Sequence, residues 1–193
     1  MASLETTVEP VQAWDEASFS DDQHYRAIAD LYGERTAQRS GVPLIDHIRE
    51  GLYILEQIGA NTETKQAYCL HPLFQGDTEL QTMTPEAVTS FDKWVIVLAL
   101  EYRNIANAYL SSRHIGSIDE IALSPRREVQ QMLIADKVQN RKDFDVYHRG
   151  FHPRSDELDR YFRNWFERLG ITQELYERLV SDLNAGKHIG KRP

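Results

Sequence analysis

Three polar side chains on otherwise apolar helix faces have the chemistry to bind a metal ion together. His47 lies in "LIDHIREGLYIL", His71 in "QAYCLHPLFQGD" and Asp136 in "MLIADKVQNRKDF". In each segment the i, i+3, i+4 spacing puts the polar residue on the same face as apolar neighbours, so we expect it to point into the core. Two imidazoles and a carboxylate suit a divalent transition metal with open coordination positions. The same groups could instead form a polar network around a bound anion.

Two further polar residues follow Asp136 along its segment. Asn140 comes one helical turn later on the same stripe, so an amide would be buried beside the carboxylate. Arg141 belongs to a local basic cluster, "RKDFDVYHRGFHPR", in a chain that is otherwise acidic. Arginine can bind phosphate with two parallel hydrogen bonds, so the cluster predicts either an anion site or a solvated surface.

The elements that position these residues are predicted to be helices. Capping residues, prolines and glycines mark starts and stops, and the apolar residues between them recur with helical spacing. No β-hairpin signal competes, and "HRGFHPRS" is the most loop-like interior segment. The prediction is an all-α fold, a single helical bundle of about six to seven helices. The predicted helices span 22–38, 43–59, 62–71, 85–112, 125–147, 155–169 and the segment from 172 onward.

Composition limits the class of protein. The chain has 193 residues, of which 41% are hydrophobic and 27% charged, so it can form one domain with a substantial core. We predict a loose N-terminal arm at 1–20, a helical domain at 21–186 and a tail at 187–193. With 22 basic and 30 acidic residues, the net charge of -8 argues against nonspecific binding of nucleic acid. Cys69 is the only cysteine, which excludes an intramolecular disulfide and a structural zinc site of cysteine type.

Neither a signal peptide nor a membrane-spanning segment is apparent in the sequence. We therefore expect a cytoplasmic protein without a membrane partner.

Three stretches resemble the HD-domain superfamily and, within it, hydrolase domains of the RelA/SpoT type. They are "QRSGVPLIDHI", "AYCLH" and "LIADKVQNRKDF", and the likeness runs roughly over 24–144. His71 follows His47 by 24 residues and Asp136 follows His71 by 65, in the family's order. The resemblance implies an HD-like bundle in which His47, His71 and Asp136 bind the metal and Asn140 lies beside them. It also implies that Arg39 lies near the substrate base, that the metal is manganese, and that the 3′-pyrophosphate of guanosine alarmones is hydrolysed.

The chain departs from the family pattern next to the second histidine. Pro72 stands where the family has its aspartate, and Gln75 with Gly76 replaces a Glu-Asp pair thought to activate the attacking water. A glutamine can form hydrogen bonds but cannot act as a general base near neutral pH. Asp77 is the nearest carboxylate that could replace the missing pair if the loop bulges.

Three functional hypotheses remain open at this point. The first is an HD-like phosphohydrolase acting on a nucleotide or alarmone-like phosphorylated small molecule. It would use manganese, or iron or zinc, with Gln75 or Asp77 orienting water and Arg39, Asn140 and Arg141 binding substrate. The second is a derived protein that binds a nucleotide or metabolite as a sensor or regulator without hydrolysis, with no metal if the site is degenerate. The third is a remodelled metal site with non-hydrolytic chemistry.

Overall fold

The computed structural model describes residues 17–189, and this part of the chain is all helical with no strand. Its one β feature is an isolated bridge between Thr36 and Pro43. The all-α bundle predicted from the sequence is confirmed. The helices are α1 (Ala17–Ser20), α2 (Gln23–Tyr32), α3 (Leu44–Gln57), α4 (Thr62–Gln75), α5 (Asp77–Thr82), α6 (Pro85–Thr89), α7 (Lys93–Ala108), α8 (Arg127–Tyr147), α9 (Ser155–Leu169) and α10 (Gln173–Ile189), with a 3₁₀ turn at Ile118–Glu120.

Several predicted boundaries were wrong, each for an identifiable local reason. The first long helix ends at Tyr32, not at residue 38, because Gly33 takes a positive φ of 51° and stops it. The predicted helix 85–112 is two helices, since Asp92 accepts hydrogen bonds from the amides of Trp94 and Val95 and so caps the start of α7. The third predicted helix does not end at His71 but continues through Pro72 to Gln75.

The predicted arm and tail fall largely outside the described residues. Residues 1–16 and 190–193 are not described, so these parts of the domain prediction stay untested. Within the arm, Ala17–Ser20 form one helical turn, and within the tail residues 187–189 belong to α10.

The core is built around α4, which packs against α2, α3, α7 and α8. A glycine allows α3 and α4 to approach closely: a Cβ atom at Gly51 would lie 2.2 Å from the ring of Tyr68. The Tyr68 ring therefore fills the space beside α3, with its centroid 5.9 Å from the ring of His47 and 4.6 Å from that of His71. This contact places the two histidines of α3 and α4 next to each other.

None of the described helices combines the length and the apolar character that crossing a membrane requires.

Candidate metal centre and its pocket

His47, His71 and Asp136 meet at one point although α3, α4 and α8 each contribute one of them. The Nε2 atoms of the two histidines lie 3.2 Å apart, and Nε2 of His47 lies 3.6 Å from Oδ1 of Asp136. One ligand atom from each residue falls within 4.8 Å of the others. The structure thus brings together the three residues that the sequence predicted as metal ligands.

The two separations from Nε2 of His47 are close to those between ligand atoms around one metal ion. With metal–ligand bonds of about 2.1 Å, neighbouring ligands are about 3.0 Å apart in an octahedral shell and about 3.4 Å apart in a tetrahedral one. The 3.2 Å and 3.6 Å separations therefore fit a common metal ion after small side-chain movements. Three protein ligands would leave at least one coordination position for water or substrate.

The orientation of His47 is fixed by Gln139. The Nε2 group of Gln139 donates to carboxylate oxygens of Glu50 at 3.2 Å and Asp143 at 2.8 Å, so its amide nitrogen must face them. Its Oε1 atom consequently faces Nδ1 of His47, 2.6 Å away. Nδ1 of His47 must donate in this contact, which leaves Nε2 with a lone pair directed at the site.

The orientation of His71 is fixed by a carbonyl that Pro72 leaves without its usual helical donor. In a regular helix the amide of residue 72 would donate to the carbonyl of Tyr68, but proline has no N–H. Nδ1 of His71 donates to this carbonyl instead, at 2.6 Å. Nε2 of His71 is therefore the atom with a lone pair, and it too faces the site.

The two histidines and Asp136 thus direct acceptor atoms at one another. Burial, followed by the proximity of His47, lowers the pKa of His71 from 6.5 to about 3, so its ring is neutral at physiological pH. Neighbouring lone pairs repel, so these acceptor atoms require a cation or a hydrogen-bond donor between them. A divalent metal meets this requirement for all three residues at once.

Asp136 is held in its ionised form by a buried lysine. Its Oδ2 atom lies 2.7 Å from Nζ of Lys137, and its Oδ1 atom accepts from Asn140 at 2.8 Å. Burial alone would raise the pKa of Asp136, but Lys137 and the two histidines outweigh it and lower the pKa to about 2. Lys137 also donates to the hydroxyl of Tyr161 at 3.0 Å, and its own pKa is raised overall by Asp136 and Tyr161 against the effect of burial. Oδ1 is the atom of Asp136 that faces His47.

The three-residue cluster lies in the wall of a cavity of about 530 Å³. The cavity is bordered by residues of the 37–44 segment, α3, α4, α8 and α9. Its volume lies in the range of pockets that bind small molecules. A ligand in the cavity would have direct access to the face of His47, whose side chain is 21% exposed.

Comparison of the chain with models of protein families, with curated proteins and with solved structures finds no match. The likeness to HD-type hydrolases therefore stays a prediction that rests on the residues themselves.

Of the two residues predicted to orient water, the structure places only one at the pocket. Gln75 lines the cavity at the end of α4, and its backbone carbonyl accepts from Arg103 at 3.3 Å and Asn107 at 3.1 Å. The side chain of Asp77 is 81% exposed and forms an ion pair with Arg103 outside the cavity. The chain does not bulge towards the candidate metal ligands, so Asp77 does not replace the missing carboxylates in this structure.

The residues predicted to bind substrate are also divided. Asn140 lines the cavity next to Asp136. Arg39 is exposed and contacts His152, outside the cavity wall. Arg141 forms ion pairs with Asp145 at 3.1 Å and Asp159 at 2.9 Å, which direct its guanidinium away from the cavity.

Sequence reasoning missed Lys137, Gln139 and Tyr161, which hold the three residues of the candidate site in place. Gln139 lies three residues after Asp136 and so shares its face of α8, a spacing that could have revealed it. Lys137 directly follows Asp136, but the pattern alone does not show that its ammonium group folds back onto the carboxylate. No sequence signal connects Tyr161 with Lys137, because they lie on different helices.

Proposed function

We propose that this chain is an HD-like, metal-dependent phosphohydrolase that acts on a phosphorylated small molecule. The observation that carries the proposal is the convergence of three metal-competent atoms, Nε2 of His47, Nε2 of His71 and Oδ1 of Asp136, at the wall of a cavity. The preferred metal is manganese, with iron and zinc as alternatives. The resemblance in "QRSGVPLIDHI" and "LIADKVQNRKDF" supports phosphoester hydrolysis among the reactions such a site can perform.

A bound divalent cation would supply Lewis acidity towards a phosphate oxygen and would lower the pKa of a coordinated water. The protein groups hold and orient the ligands. Gln139 and the Tyr68 carbonyl fix the two imidazoles, while Lys137 and Asn140 fix the carboxylate. Gln75 can orient a water by hydrogen bonding but cannot remove its proton. Deprotonation of the water would therefore depend on its lowered pKa and not on a protein base.

The proposal is tested by metal content followed by phosphatase activity. Protein purified without chelator from cells supplemented with manganese, iron and zinc should contain about one metal ion per chain. The loaded protein should release phosphate from phosphate esters, and His47→Ala should lose both metal and activity. His114→Ala is the matched control, because His114 is an exposed histidine far from the cluster in the sequence and outside the cavity wall. Metal well below one ion per chain in the wild type would refute the proposal.

A second candidate function is ligand binding without hydrolysis, as a sensor or regulator. It is favoured because Asp77 lies outside the cavity wall and because the carboxylates that line the cavity are already paired. Among the described residues that line the cavity, the carboxylates are Asp136 and Asp143, and both are paired with lysines. Tight binding of a phosphorylated ligand by metal-loaded protein, with no phosphate released over hours, would favour this candidate over the hydrolase.

A further inference from the structure

The cavity has little positive charge of its own. Among the described residues that line it, Lys137 is the only lysine or arginine, and the acidic groups are Asp136 and Asp143. The ammonium of Lys137 already has two partners, Oδ2 of Asp136 at 2.7 Å and the Tyr161 hydroxyl at 3.0 Å. Lys137, Asp136 and Asp143 together carry a net charge of about -1, so a divalent metal brings the cavity to about +1.

The basic residues beside the cavity on α8 are occupied as well. Arg141 is paired with Asp145 and Asp159, and its side chain is only 15% exposed. Lys142 is buried between Glu50 and Asp143. Moving either cation towards a ligand would leave a partly or fully buried carboxylate without its partner, which is costly. A ligand with several negative charges would therefore find neither Arg141 nor Lys142 free to pair with it.

Along α8 the wall of the cavity passes from polar residues near the three-residue cluster to an aromatic ring, with a histidine at the far end. Asp136, Asn140, Phe144 and His148 all line the cavity and recur every fourth residue, about 6 Å apart along the helix. By this spacing Phe144 lies about 12 Å from Asp136 along the helix axis. Its ring packs against that of Phe162, with the ring centroids 5.5 Å apart.

The facing walls continue this apolar region. Val42 lines the cavity from the segment before α3, Leu44 from the first turn of α3 and Leu158 from α9. Burial of a ligand's apolar surface against these side chains would contribute about 25 cal/mol for each Å² removed from water.

From these charges and this wall we infer that the substrate is the phosphate monoester of a compact, mainly apolar alcohol, not a nucleoside polyphosphate. This inference rests on the proposed function, because the phosphate is placed at the metal. A monoester carries about -1.5 to -2 charges at pH 7, which a site of about +1 with the Asn140 amide beside it can nearly balance. A polyphosphate would carry further charges past Phe144 and Leu158, where no lysine or arginine among the described lining residues could pair with them.

The inference is tested by comparing the binding of a phosphonate, whose C–P bond a phosphohydrolase does not cleave, with the binding of a nucleoside diphosphate. Binding of 1-naphthylmethylphosphonate and of guanosine 5′-diphosphate to manganese-loaded protein is measured by calorimetry at the same free metal concentration. We expect the naphthyl compound to bind at least about tenfold more tightly, a difference of about 1.4 kcal/mol. Equal or tighter binding of the diphosphate, or failure of the naphthyl compound to bind, would overturn the inference.

A charge-insertion variant tests the same reasoning from the side of the protein. Leu158→Arg places an additional cation in the cavity wall, at a half-buried position where a long side chain can be accommodated. Its ratio of affinities should shift towards guanosine 5′-diphosphate by about tenfold. Leu110→Arg is the control, since Leu110 is 50% exposed and outside the cavity wall, and it should keep the wild-type ratio. An unchanged ratio in a folded Leu158→Arg protein would contradict the inference.

Failure of the proposed function gives a different result from failure of the inference. Phosphate release from 1-naphthyl phosphate and from guanosine 5′-triphosphate is measured with the same loaded protein. Faster release from the triphosphate overturns the inference but keeps the hydrolase. Tight binding of the naphthyl phosphonate without release from either ester keeps the ligand class and refutes hydrolysis.

Discussion

The buried pair between Asp136 and Lys137 makes a quantitative prediction about folding. The two side chains are 6% and 5% exposed, and their charged atoms are 2.7 Å apart. Asp136→Ala would leave the ammonium of Lys137 buried with only the Tyr161 hydroxyl as a close polar partner. Breaking a buried ion pair in this way costs about 3 to 5 kcal/mol of unfolding free energy. We therefore expect Asp136→Ala to destabilise the metal-free protein by that amount, in addition to losing a metal ligand.

A second substitution should recover most of this loss. The Lys137 ammonium lies 5.4 Å from the ring centroid of Tyr161 and 5.1 Å from that of Trp165, so methionine at 137 would pack against aromatic rings. The double variant Asp136→Ala with Lys137→Met removes both charges, and we expect it to lie within about 2 kcal/mol of the wild type. The assay is urea unfolding followed by circular dichroism, with chelator present so that metal binding does not add to stability.

The double-mutant cycle also shows how the reasoning would fail. If Asp136→Ala costs less than about 1 kcal/mol, the pair does not determine the stability of this part of the core. If the double variant is as unstable as the sum of the two single variants, the charges are not coupled, and the assignment of Lys137 as the partner of Asp136 is wrong.

The remaining predictions concern metal affinity, thiol reactivity and pH. Gln139→Leu should weaken zinc binding by about 10- to 100-fold in a chelator competition, because His47 loses the acceptor that orients it. Asp77→Ala, an exposed carboxylate, should leave that affinity unchanged. Cys69 is buried, which raises its pKa, so a thiol reagent at pH 8 should label it only in urea. Stability of the metal-free protein should fall by up to about 1.4 kcal/mol per pH unit from pH 6.5 towards pH 3, because unfolded chains protonate His71 while the folded ring stays neutral; His71→Phe should flatten this slope.

Much of the helical architecture could be predicted because its signals are local. Apolar stripes and end signals such as Gly59 locate most of the long helices within a few residues. The division of residues 85–112 was missed because the strong start at Thr84 and Pro85 hid a second cap at Asp92, whose side chain competes for the amides that follow it.

The convergence of three inward-facing polar residues could be predicted for the same reason, whereas the residues that hold them in place could not. His47, His71 and Asp136 each interrupt an apolar stripe, so each is visible within one helix. The position of Gln139 depends on Glu50, 89 residues away, and therefore on how α3 packs against α8. The outward position of Asp77 depends likewise on Arg103 of α7.

Pro72 affects both the number of candidate metal ligands and the orientation of His71. Replacing it with aspartate, as in the family that the sequence resembles, would add a carboxylate and would also restore a backbone N–H four residues after Tyr68. That amide and Nδ1 of His71 would then both donate to the Tyr68 carbonyl. With proline at position 72, only Nδ1 of His71 does so. An aspartate at position 72 would thus add a fourth candidate ligand, but it would also add an amide that competes with His71 for the Tyr68 carbonyl. The three-residue site is therefore a self-consistent arrangement, and restoring the family motif by one substitution should gain less metal affinity than the added charge alone would provide.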